Sequence, residues 1–387
     1  MKNRQIPKGL RDFLPNEVKN RRKLEQKAIE VFTAFGYKEV LTPTFEFLEV
    51  VETGAGKNRE KLFLFMDREG GILSLRPEMT VSIARLAAMH LKDSSFPQRF
   101  FYSANVFRHV QPHLAQYREF WQIGIEMLGA SGPWADAEVI NLAVKILKAM
   151  GLDNFKISIN QIGIFNSLLA DCPVSPDEKD NIRNLVEIKD LVELSRCLDT
   201  LPVPDLLKET IARLPILHGG LEVLNRIPYV EKNKAANEAV EELLRVYEAL
   251  QAFGVEEHIV VDMGVLRDLE MDYYTGIIFE GYSPELGYGL LGGGRYDNLL
   301  GQFGFPCPAT GFALGMDRLA LVLTNQEQEP PHYILGGKNL QVLAARADQL
   351  RHEGKIVELD VEAASREVLE EKIRDRDDLI MIYLDDE

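Results

Sequence analysis

The stretch LEMDYYTG at residues 269–276, followed by GGGRYD at residues 292–297, is the most informative part of this sequence. Tyr273 and Tyr274 offer phenol groups for hydrogen bonding and aromatic faces for stacking on a small planar ligand. Two adjacent strand residues could equally point to opposite sides of a sheet. The triple glycine is not followed by the lysine and hydroxyl residue of a phosphate-binding loop. We predict instead that it allows close backbone packing beside a pocket.

A second wall of the pocket is predicted from REFWQIGIEM at residues 118–127. Gln122 and Glu126 lie four apart on a predicted strand, so both side chains face one side and could bracket one small polar ligand. They could alternatively be outward-facing polar residues on a half-exposed strand. The apolar residues around them argue against that alternative, because a buried carboxylate is costly unless it is paired.

A third element is SLRPEMT at residues 74–80, which ends at a predicted helix start. The Glu78 carboxylate and the Thr80 hydroxyl would suit a compact ammonium ion. The alternative is purely structural, because an acidic residue in a first helical turn is favoured by the helix dipole. Taken alone, the stretch favours the structural alternative.

Residues 1–324 alternate between patterns typical of helices and of strands. Helices are predicted over residues 16–35, 78–91, 136–150 and, with internal glycines, 308–323. Strands are predicted over residues 37–41, 100–107, 120–127, 259–263, 274–282 and 288–291, and two short strands lie within residues 61–75 around a turn at Asp67. Runs of adjacent strands predict an α+β core with a mainly antiparallel sheet. Six prolines divide residues 164–253 into short helices, which we interpret as a helical insertion in the core.

A linker is predicted at residues 325–331, which end in Pro330 and Pro331. Residues 332–387 then form a small α/β domain, with strands predicted over residues 340–345, 356–361 and 379–384. Amphipathic helices separate these strands, and Ser365 is a candidate N-cap of one of them. The alternation of strands and helices predicts a small parallel sheet.

Composition narrows the classes of function that are possible. A formal net charge of -16 over 387 residues would repel an extended phosphate polymer, unless a local basic patch offset it. The three cysteines are odd in number and far apart, which indicates reduced thiols and a cytoplasmic protein. No run of about 18 apolar residues occurs, so we expect neither membrane spanning nor secretion.

Four segments, in order, resemble the core of class II aminoacyl-tRNA synthetases of the histidyl type. They are LRPEMT, the hairpin over residues 106–126 that is similar to motif 2, LEMDYYTG with GGGRYD, and GFALGMDRL at residues 311–319, which is similar to motif 3. The resemblance implies a class II synthetase-like antiparallel sheet and a histidine pocket. The histidine contacts that it implies are Glu78, Thr80, Gln122, Glu126, Tyr273 and Tyr274.

The sequence departs from active synthetases at three positions. Leu269 stands where the family has an arginine, Val110 where it has a glutamate for the adenine end of ATP, and Gln116 where it has a phosphate-binding arginine. Removing one preorganised donor typically costs roughly 2.7 to 4 kcal/mol of transition-state stabilisation, so we expect negligible adenylation. Arg318, the motif 3 arginine, is retained. Arg108 is our hypothesis for the group that replaces Leu269 as partner of the histidine carboxylate.

With these departures and a short tail that ends in Asp385, Asp386 and Glu387, the chain resembles the regulatory subunits of ATP phosphoribosyltransferase. The resemblance implies no catalytic residue, no cofactor, L-histidine as ligand, and a dimer formed through the class II core. It further implies a cytoplasmic hetero-octamer with the short-form catalytic subunit. Histidine would inhibit this complex by feedback. Neither tRNA nor a membrane is an expected partner. A metal at His109 and His113 is a minor alternative, because Pro112 lies between them.

Two other functions stay open. A divergent but active histidyl-tRNA synthetase would need a cation that replaces Leu269. A synthetase-like tRNA sensor or scaffold would need a basic surface that the sequence does not indicate.

Overall fold

The computed structural model describes residues 4–55, 59–111, 117–266, 273–286, 288–323, 331–376 and 378–384. The chain forms two compact units, residues 1–324 and residues 325–387. Leu269, Met271, Asp272, Pro112, His113 and Gln116, most of the predicted linker and the acidic end at residues 385–387 lie outside the described residues. No helix in the described part of the chain is long and apolar enough to cross a membrane. All three cysteines are free thiols.

A nine-stranded sheet is the centre of the first unit. In spatial order its strands are β1 (Lys38–Glu39), β5 (Gln98–Phe107), β6 (Glu119–Leu128), β12 (Ala309–Gly315), β11 (Gly289–Arg295), β10 (Ile277–Tyr282), β7 (Lys156–Gln161), β9 (Ile259–Asp262) and β8 (His218–Gly219). Neighbours are antiparallel except for β1 with β5 and β7 with β9, which are parallel. The predicted class II synthetase-like core is therefore confirmed, as a mixed and mainly antiparallel sheet.

Both faces of this sheet are buried, because the side chains of β5 alternate between two apolar cores. Phe101 packs into one core with α1 (Pro15–Ala34) and α4 (Pro133–Met150). Phe100 and Tyr102 pack into the other core with α3 (Thr80–His90). Gly151 follows helix α4, and its φ of 93° is the left-handed conformation that glycine adopts at the C-terminal end of many helices.

A separate three-stranded antiparallel sheet follows α1 in the chain. It consists of β2 (Phe45–Phe47), β4 (Ile72–Leu75) and β3 (Leu64–Met66), with α2 (Leu48–Ala55) between β2 and β3 in sequence. The predicted turn between β3 and β4 is present, because Asp67 Oδ1 accepts from Glu69 N and Gly71 N at 2.8 Å. Phe45 and Phe47 are 50% and 56% exposed, so this sheet presents an apolar face.

Five helices occupy most of the chain between β7 and β9. They are α5 (Ile162–Ala170), α6 (Pro176–Glu187), α7 (Leu191–Asp199), α8 (Asp205–Arg213) and α9 (Lys234–Ala252). Helix α6 begins with a capping box, in which Ser175 and Glu178 bond each other's backbone N–H groups. The short β8 lies between α8 and α9, so this helical segment also contributes an edge strand to the large sheet.

One helix prediction for the first unit is wrong, and one inner strand of the large sheet was not predicted. The helix predicted over residues 308–323 is a strand, β12, followed by the seven-residue helix α10 (Met316–Val322). Its glycines serve close packing in the sheet, since a Cβ on Gly311 would lie 2.1 Å from Glu126 Oε2. Strand β7 is not predicted at all. The alternation of polar and apolar residues from Lys156 to Asn160 fits a half-buried strand and was the signal that could have identified it. In the structure its polar Ser158 and Asn160 are buried as well as the neighbouring isoleucines.

The second unit is a three-stranded parallel sheet with the order β14-β13-β15. Its elements are β13 (His332–Gly337), α11 (Leu340–His352), β14 (Ile356–Leu359), α12 (Arg366–Ile373) and β15 (Leu379–Leu384). The parallel sheet is confirmed, and Ser365 caps α12 by accepting from Val368 N.

The strand predicted over residues 340–345 is wrong, because those residues begin α11. Asn339 caps this helix by accepting from Gln341 N at 3.1 Å and Val342 N at 3.3 Å. The buried Leu343, Ala347 and Leu350 follow helical spacing. An N-cap outweighs a short apolar run that fits either a strand or a buried helix.

Candidate histidine-binding site

A cavity of about 370 Å³ lies on the α3 side of the large sheet. It is lined by every residue that the sequence predicted as a histidine contact, namely Glu78, Thr80, Arg108, Gln122, Glu126, Tyr273 and Tyr274. The other lining residues are Tyr102, Gly292, Tyr296, Gly311, Phe312 and Ala313. Residues from six separate parts of the chain thus converge on one small polar space.

Strand β6 supplies the floor through Gln122 and Glu126, which are 3% and 1% exposed. The prediction that both face one side is confirmed. Their room comes from β12, where Gly311 pairs with Glu126 and Gly315 pairs with Gln122. Because Gly311 has no side chain, the carboxyl group of Glu126 occupies the space beside it.

Glu126 is held by two hydroxyl groups. Thr80 Oγ1 donates to Oε1 at 2.7 Å, and the Tyr296 hydroxyl donates to Oε2. Burial, opposed by these two hydrogen bonds and reinforced by the charge of Glu78, raises the pKa of Glu126 to about 8. Burial thus favours the protonated form of Glu126.

Glu78 lies just before α3 and is fixed by backbone groups. Its oxygens accept from Thr80 N at 2.5 Å and Val81 N at 2.8 Å. The structural interpretation is confirmed, because the carboxylate satisfies N–H groups of the helix start. The same carboxylate lines the cavity, and its contact with an ammonium group stays a prediction. Burial raises the pKa of Glu78, while these backbone hydrogen bonds and the nearby Arg108 oppose the increase.

The amide oxygen Oε1 of Gln122 is buried and has no hydrogen-bond partner among the described residues. Buried polar atoms in native proteins are almost always paired, so an orphan acceptor in a cavity indicates a missing donor. An ammonium group would supply that donor beside the two carboxyl groups.

Three tyrosines form an aromatic wall. The ring centroids of Tyr273 and Tyr274 are 5.0 Å apart, and those of Tyr273 and Tyr296 are 5.6 Å apart in an edge-on arrangement. Tyr273 and Tyr274 line the same cavity, so the alternative that they face opposite sides of a sheet is wrong. Both tyrosines precede β10, so the alternation of side chains between the two faces of a strand does not apply to them.

The triple glycine lies within β11 and packs closely, as predicted. A Cβ on Gly293 would lie 2.2 Å from the carbonyl oxygen of Gly311, and one on Gly294 would lie 2.9 Å from Tyr274 Cδ1. Only glycine allows β11, β12 and Tyr274 to approach this closely.

Arg108 connects this cavity to a second cavity of about 650 Å³, which it also lines. Its Nε donates to the carbonyl oxygen of Pro77 at 3.0 Å, and its guanidinium carbon is 5.3 Å from the ring centroid of Phe120. Gln122, Gly292 and Ala313 are likewise shared between the two cavities. A ligand whose ammonium group is near Gln122 could thus direct a carboxylate toward Arg108.

The second cavity carries both signs of charge. Asp317 accepts from Arg11 Nη2 at 2.9 Å and from Trp121 N at 2.7 Å, while Arg318 Nη1 donates to the carbonyl oxygen of Gly289 at 2.7 Å. Burial raises the pKa of Glu280, and Arg318 opposes the increase. Val110 lines this cavity and is apolar at the position where the resemblance implies a glutamate.

Metal ligation finds no support in the described part of the chain, where no cluster of three or more His, Cys, Asp or Glu residues could hold an ion. His109 Nδ1 lies 3.2 Å from the carbonyl oxygen of Glu60, and its ring packs edge-on against Phe63. His113 lies outside the described residues.

Sequence reasoning missed Tyr296 and Tyr102 as lining residues. Tyr296 belongs to the GGGRYD stretch, so that motif was the signal that could have identified it. Tyr102 could have been found only by its position on β5, on the face opposite to Phe101.

Comparison with known proteins gives consistent results. The sequence model of the histidyl-tRNA synthetase family matches residues 9–319. An ATP phosphoribosyltransferase regulatory subunit of Moorella thermoacetica is 43% identical over 368 residues, which cover 94% of each chain. A histidine–tRNA ligase of Methanocaldococcus jannaschii is 39% identical, over 92% of this chain and 86% of its own.

A solved structure with a similar fold comes from Bacillus halodurans and is described as an ATP phosphoribosyltransferase regulatory subunit/histidyl-tRNA synthetase. It matches with a TM-score of 0.87 and 31% identity, over 100% of this chain and 99% of its own.

Proposed function

This chain belongs to the histidyl-tRNA synthetase family, among the ATP phosphoribosyltransferase regulatory subunits, and from that premise we propose that it senses free L-histidine for a catalytic partner. It acts as a regulatory subunit of ATP phosphoribosyltransferase. In this proposal the protein is cytoplasmic, has no catalytic activity of its own and mediates feedback inhibition of histidine biosynthesis.

The observation that carries the proposal is the orphan oxygen of Gln122 beside two buried carboxyl groups. An amino acid with a basic ring satisfies this set. Its ammonium group donates to Glu78, Thr80 Oγ1 and Gln122 Oε1, while its ring donates to Glu126 and stacks within the aromatic wall. Tyr274 is the phenol that we assign to the other ring nitrogen.

In this proposal the cavity binds histidine without activating it, because two of the arginines that the family uses for adenylation are absent from the sequence. Leu269 and Gln116 are neutral where the family has arginines. Negative charge that develops on a phosphate would lack its preorganised donors. Arg318 donates to the main chain at Gly289, so its retention is explained by the fold.

Regulation follows from linkage between binding and assembly. Histidine that binds one assembly state more tightly shifts the complex toward that state, with a coupling of about 1 to 3 kcal/mol. The partner in this proposal is the short-form catalytic subunit in a hetero-octamer. We do not expect tRNA as a partner, because a net charge of -16 repels a phosphate polymer unless a local basic patch offsets it. We assign self-association to the β2-β4-β3 sheet, where Phe45 and Phe47 expose apolar area.

The function is tested by mixing the purified protein with a short-form ATP phosphoribosyltransferase. We expect activity to appear on mixing and to fall when histidine is added. Histidine-dependent exchange of pyrophosphate into ATP tests the alternative, an active synthetase, which the Methanocaldococcus relative favours. Exchange by the protein alone, together with no effect on the transferase, would replace our proposal with that alternative.

Arg108→Ala is expected to weaken histidine binding about 10- to 100-fold, because a hydrogen bond to a charged group contributes about 1.5 to 3 kcal/mol. Histamine lacks the carboxylate, so its affinity should change little. Calorimetric titration with both ligands therefore measures whether Arg108 contacts the carboxylate.

The matched control is Arg59→Ala, which removes an exposed arginine paired with Glu52. Its histidine affinity should equal that of the wild type. Equal loss of histidine and histamine binding in Arg108→Ala would mean that Arg108 supports the cavity and does not bind the carboxylate.

A further inference from the structure

We propose that the cavity supplies the proton that makes the bound imidazole cationic, by transfer from the Glu126 carboxyl group to the ring nitrogen that faces it. The inference rests on the proposed function and states how the site selects its ligand. The free cavity holds a neutral carboxyl group at Glu126, and the occupied cavity holds a carboxylate with an imidazolium ion.

The first support is the chemistry of the groups around Glu126. Both carboxyl oxygens are bonded to hydroxyl groups, of Thr80 and of Tyr296. A hydroxyl can donate to a carboxylate or accept from a carboxyl group, so these partners suit both protonation states. Backbone N–H groups, which hold Glu78, can only donate and so favour its charged form.

The second support is the absence of a counter-charge. Among the residues that the structure describes, no lysine, arginine or histidine forms an ion pair with Glu126, which is 1% exposed. A buried and unpaired carboxylate would be costly, so the empty cavity favours the neutral group. Burial correspondingly raises the pKa of Glu126 to about 8.

The other titratable groups that face the cavity do not compete for this role. Burial raises the pKa of Glu78 as well, but its carboxylate accepts from two backbone N–H groups, which oppose that increase and favour the charged form. Arg108 donates to Pro77, and Tyr102, Tyr273 and Tyr274 line the cavity. Burial and the neighbouring Glu126 raise the pKa of Tyr296 well above its usual range, so this phenol stays neutral. Glu126 is thus the group that can give up a proton near neutral pH.

The proton balance explains the selectivity. The O–H bond of Glu126 breaks and an N–H bond forms on the ring. Binding then exchanges no proton with water at a pH between about 6.5, the ordinary pKa of imidazole, and about 8, the pKa of Glu126. The ring enters neutral, which limits the cost of removing it from water. An amide side chain cannot accept the proton. A lysine arrives already charged and would force Glu126 to release its proton to water.

The direct test is nitrogen NMR of bound histidine with a 15N-labelled ring at pH 7.5. At this pH the imidazole ring of free histidine is mostly neutral. We expect both ring nitrogens of the bound ligand to be protonated. A bound ring with a single protonated nitrogen would overturn the inference while leaving histidine sensing intact. No detectable binding, either to the chain or to its complex with the catalytic subunit, would overturn the proposed function as well.

The second test is the pH dependence of histidine affinity in Glu126→Gln. Wild-type affinity should be about tenfold weaker at pH 9 than at pH 7, beyond any change seen in the variant, because above about pH 8 the proton must come from water. The ligand ammonium group also titrates in this range, so the difference between the two proteins is the readout. Identical pH profiles would contradict proton transfer.

The control is Glu25→Gln. Glu25 is a buried carboxyl group bonded to Ser103, a β5 residue on the sheet face opposite Tyr102. The pH dependence of histidine affinity in Glu25→Gln should match that of the wild type. If Glu126→Gln binds too weakly to titrate, the NMR result for the wild type decides alone.

Discussion

Asp136→Ala lowers the free energy of unfolding of the first unit by about 3 to 5 kcal/mol, the typical cost of removing one partner from a buried ion pair. Arg295 Nε donates to Asp136 Oδ2 at 2.9 Å, and Nη2 lies 2.9 Å from Oδ1. The side chains of Arg295 and Asp136 are 4% and 1% exposed, so water cannot replace the lost carboxylate. Asp297, which lies 3.0 Å from Arg295 Nη1, is 38% exposed and compensates only in part.

The same change should weaken histidine binding, because Arg295 positions the aromatic wall. Its carbonyl oxygen accepts from Thr275 N at 2.7 Å, and Gly276 packs against its side chain. The loss of stability is measured by urea unfolding, which tryptophan fluorescence follows. Both tryptophans of the chain, Trp121 and Trp134, lie in the first unit.

Glu138→Ala is the matched control on the same helix, α4. Glu138 pairs with Arg99 at 3.0 Å, but the two side chains are 27% and 30% exposed, so the loss should be about 0 to 1 kcal/mol. Equal destabilisation by the two substitutions would mean that the Arg295 pair is no more important than a surface pair.

Glu78→Gln is expected to weaken histidine binding by about 2 to 5 kcal/mol, roughly thirtyfold to several thousandfold, because it removes the charge that faces the ligand ammonium group. The amide retains the size of the side chain and one acceptor for the N–H groups of Thr80 and Val81. Calorimetric titration of folded protein, checked by circular dichroism, gives the affinity.

A ligand without the ammonium group makes this test specific. Imidazolepropionate should bind the wild type and Glu78→Gln with similar affinity, since only the ammonium contact is removed. Glu119→Gln is the control, because Glu119 lies on β6 but does not line the cavity. Glu119 accepts from Asn105 Nδ2 at 2.9 Å and alternates with the cavity-facing residues of β6. Unchanged histidine affinity in Glu78→Gln would remove Glu78 from the binding site.

Much of the site could be predicted because its parts are local. The spacing of Gln122 and Glu126 fixes their shared face whatever the strand pairs with, since strand alternation is a property of the backbone. The family resemblance then added Glu78, Thr80 and the two tyrosines as expected contacts, and the cavity contains all of them. Their role in histidine binding stays a prediction.

Local signals also failed where two structures fit one pattern. Residues 308–323 contain glycines that fit neither a helix nor a strand well, and only the pairing of β12 with β6 and β11 decides in favour of a strand. The apolar start of α11 fits a strand equally well until the Asn339 cap is considered.

The sequence by itself determined the class II core, the regulatory family, the loss of the adenylating charges at Leu269 and Gln116, and the identity of most cavity residues. Only the tertiary structure decided that Tyr296 bonds Glu126, that Gln122 Oε1 has no partner among the described residues, and that Arg108 lines both cavities. Residue types and their spacings can be read from the sequence without knowledge of the fold. Burial and the contacts between distant strands set the protonation of Glu126, because the energy of a charge depends on everything packed around it.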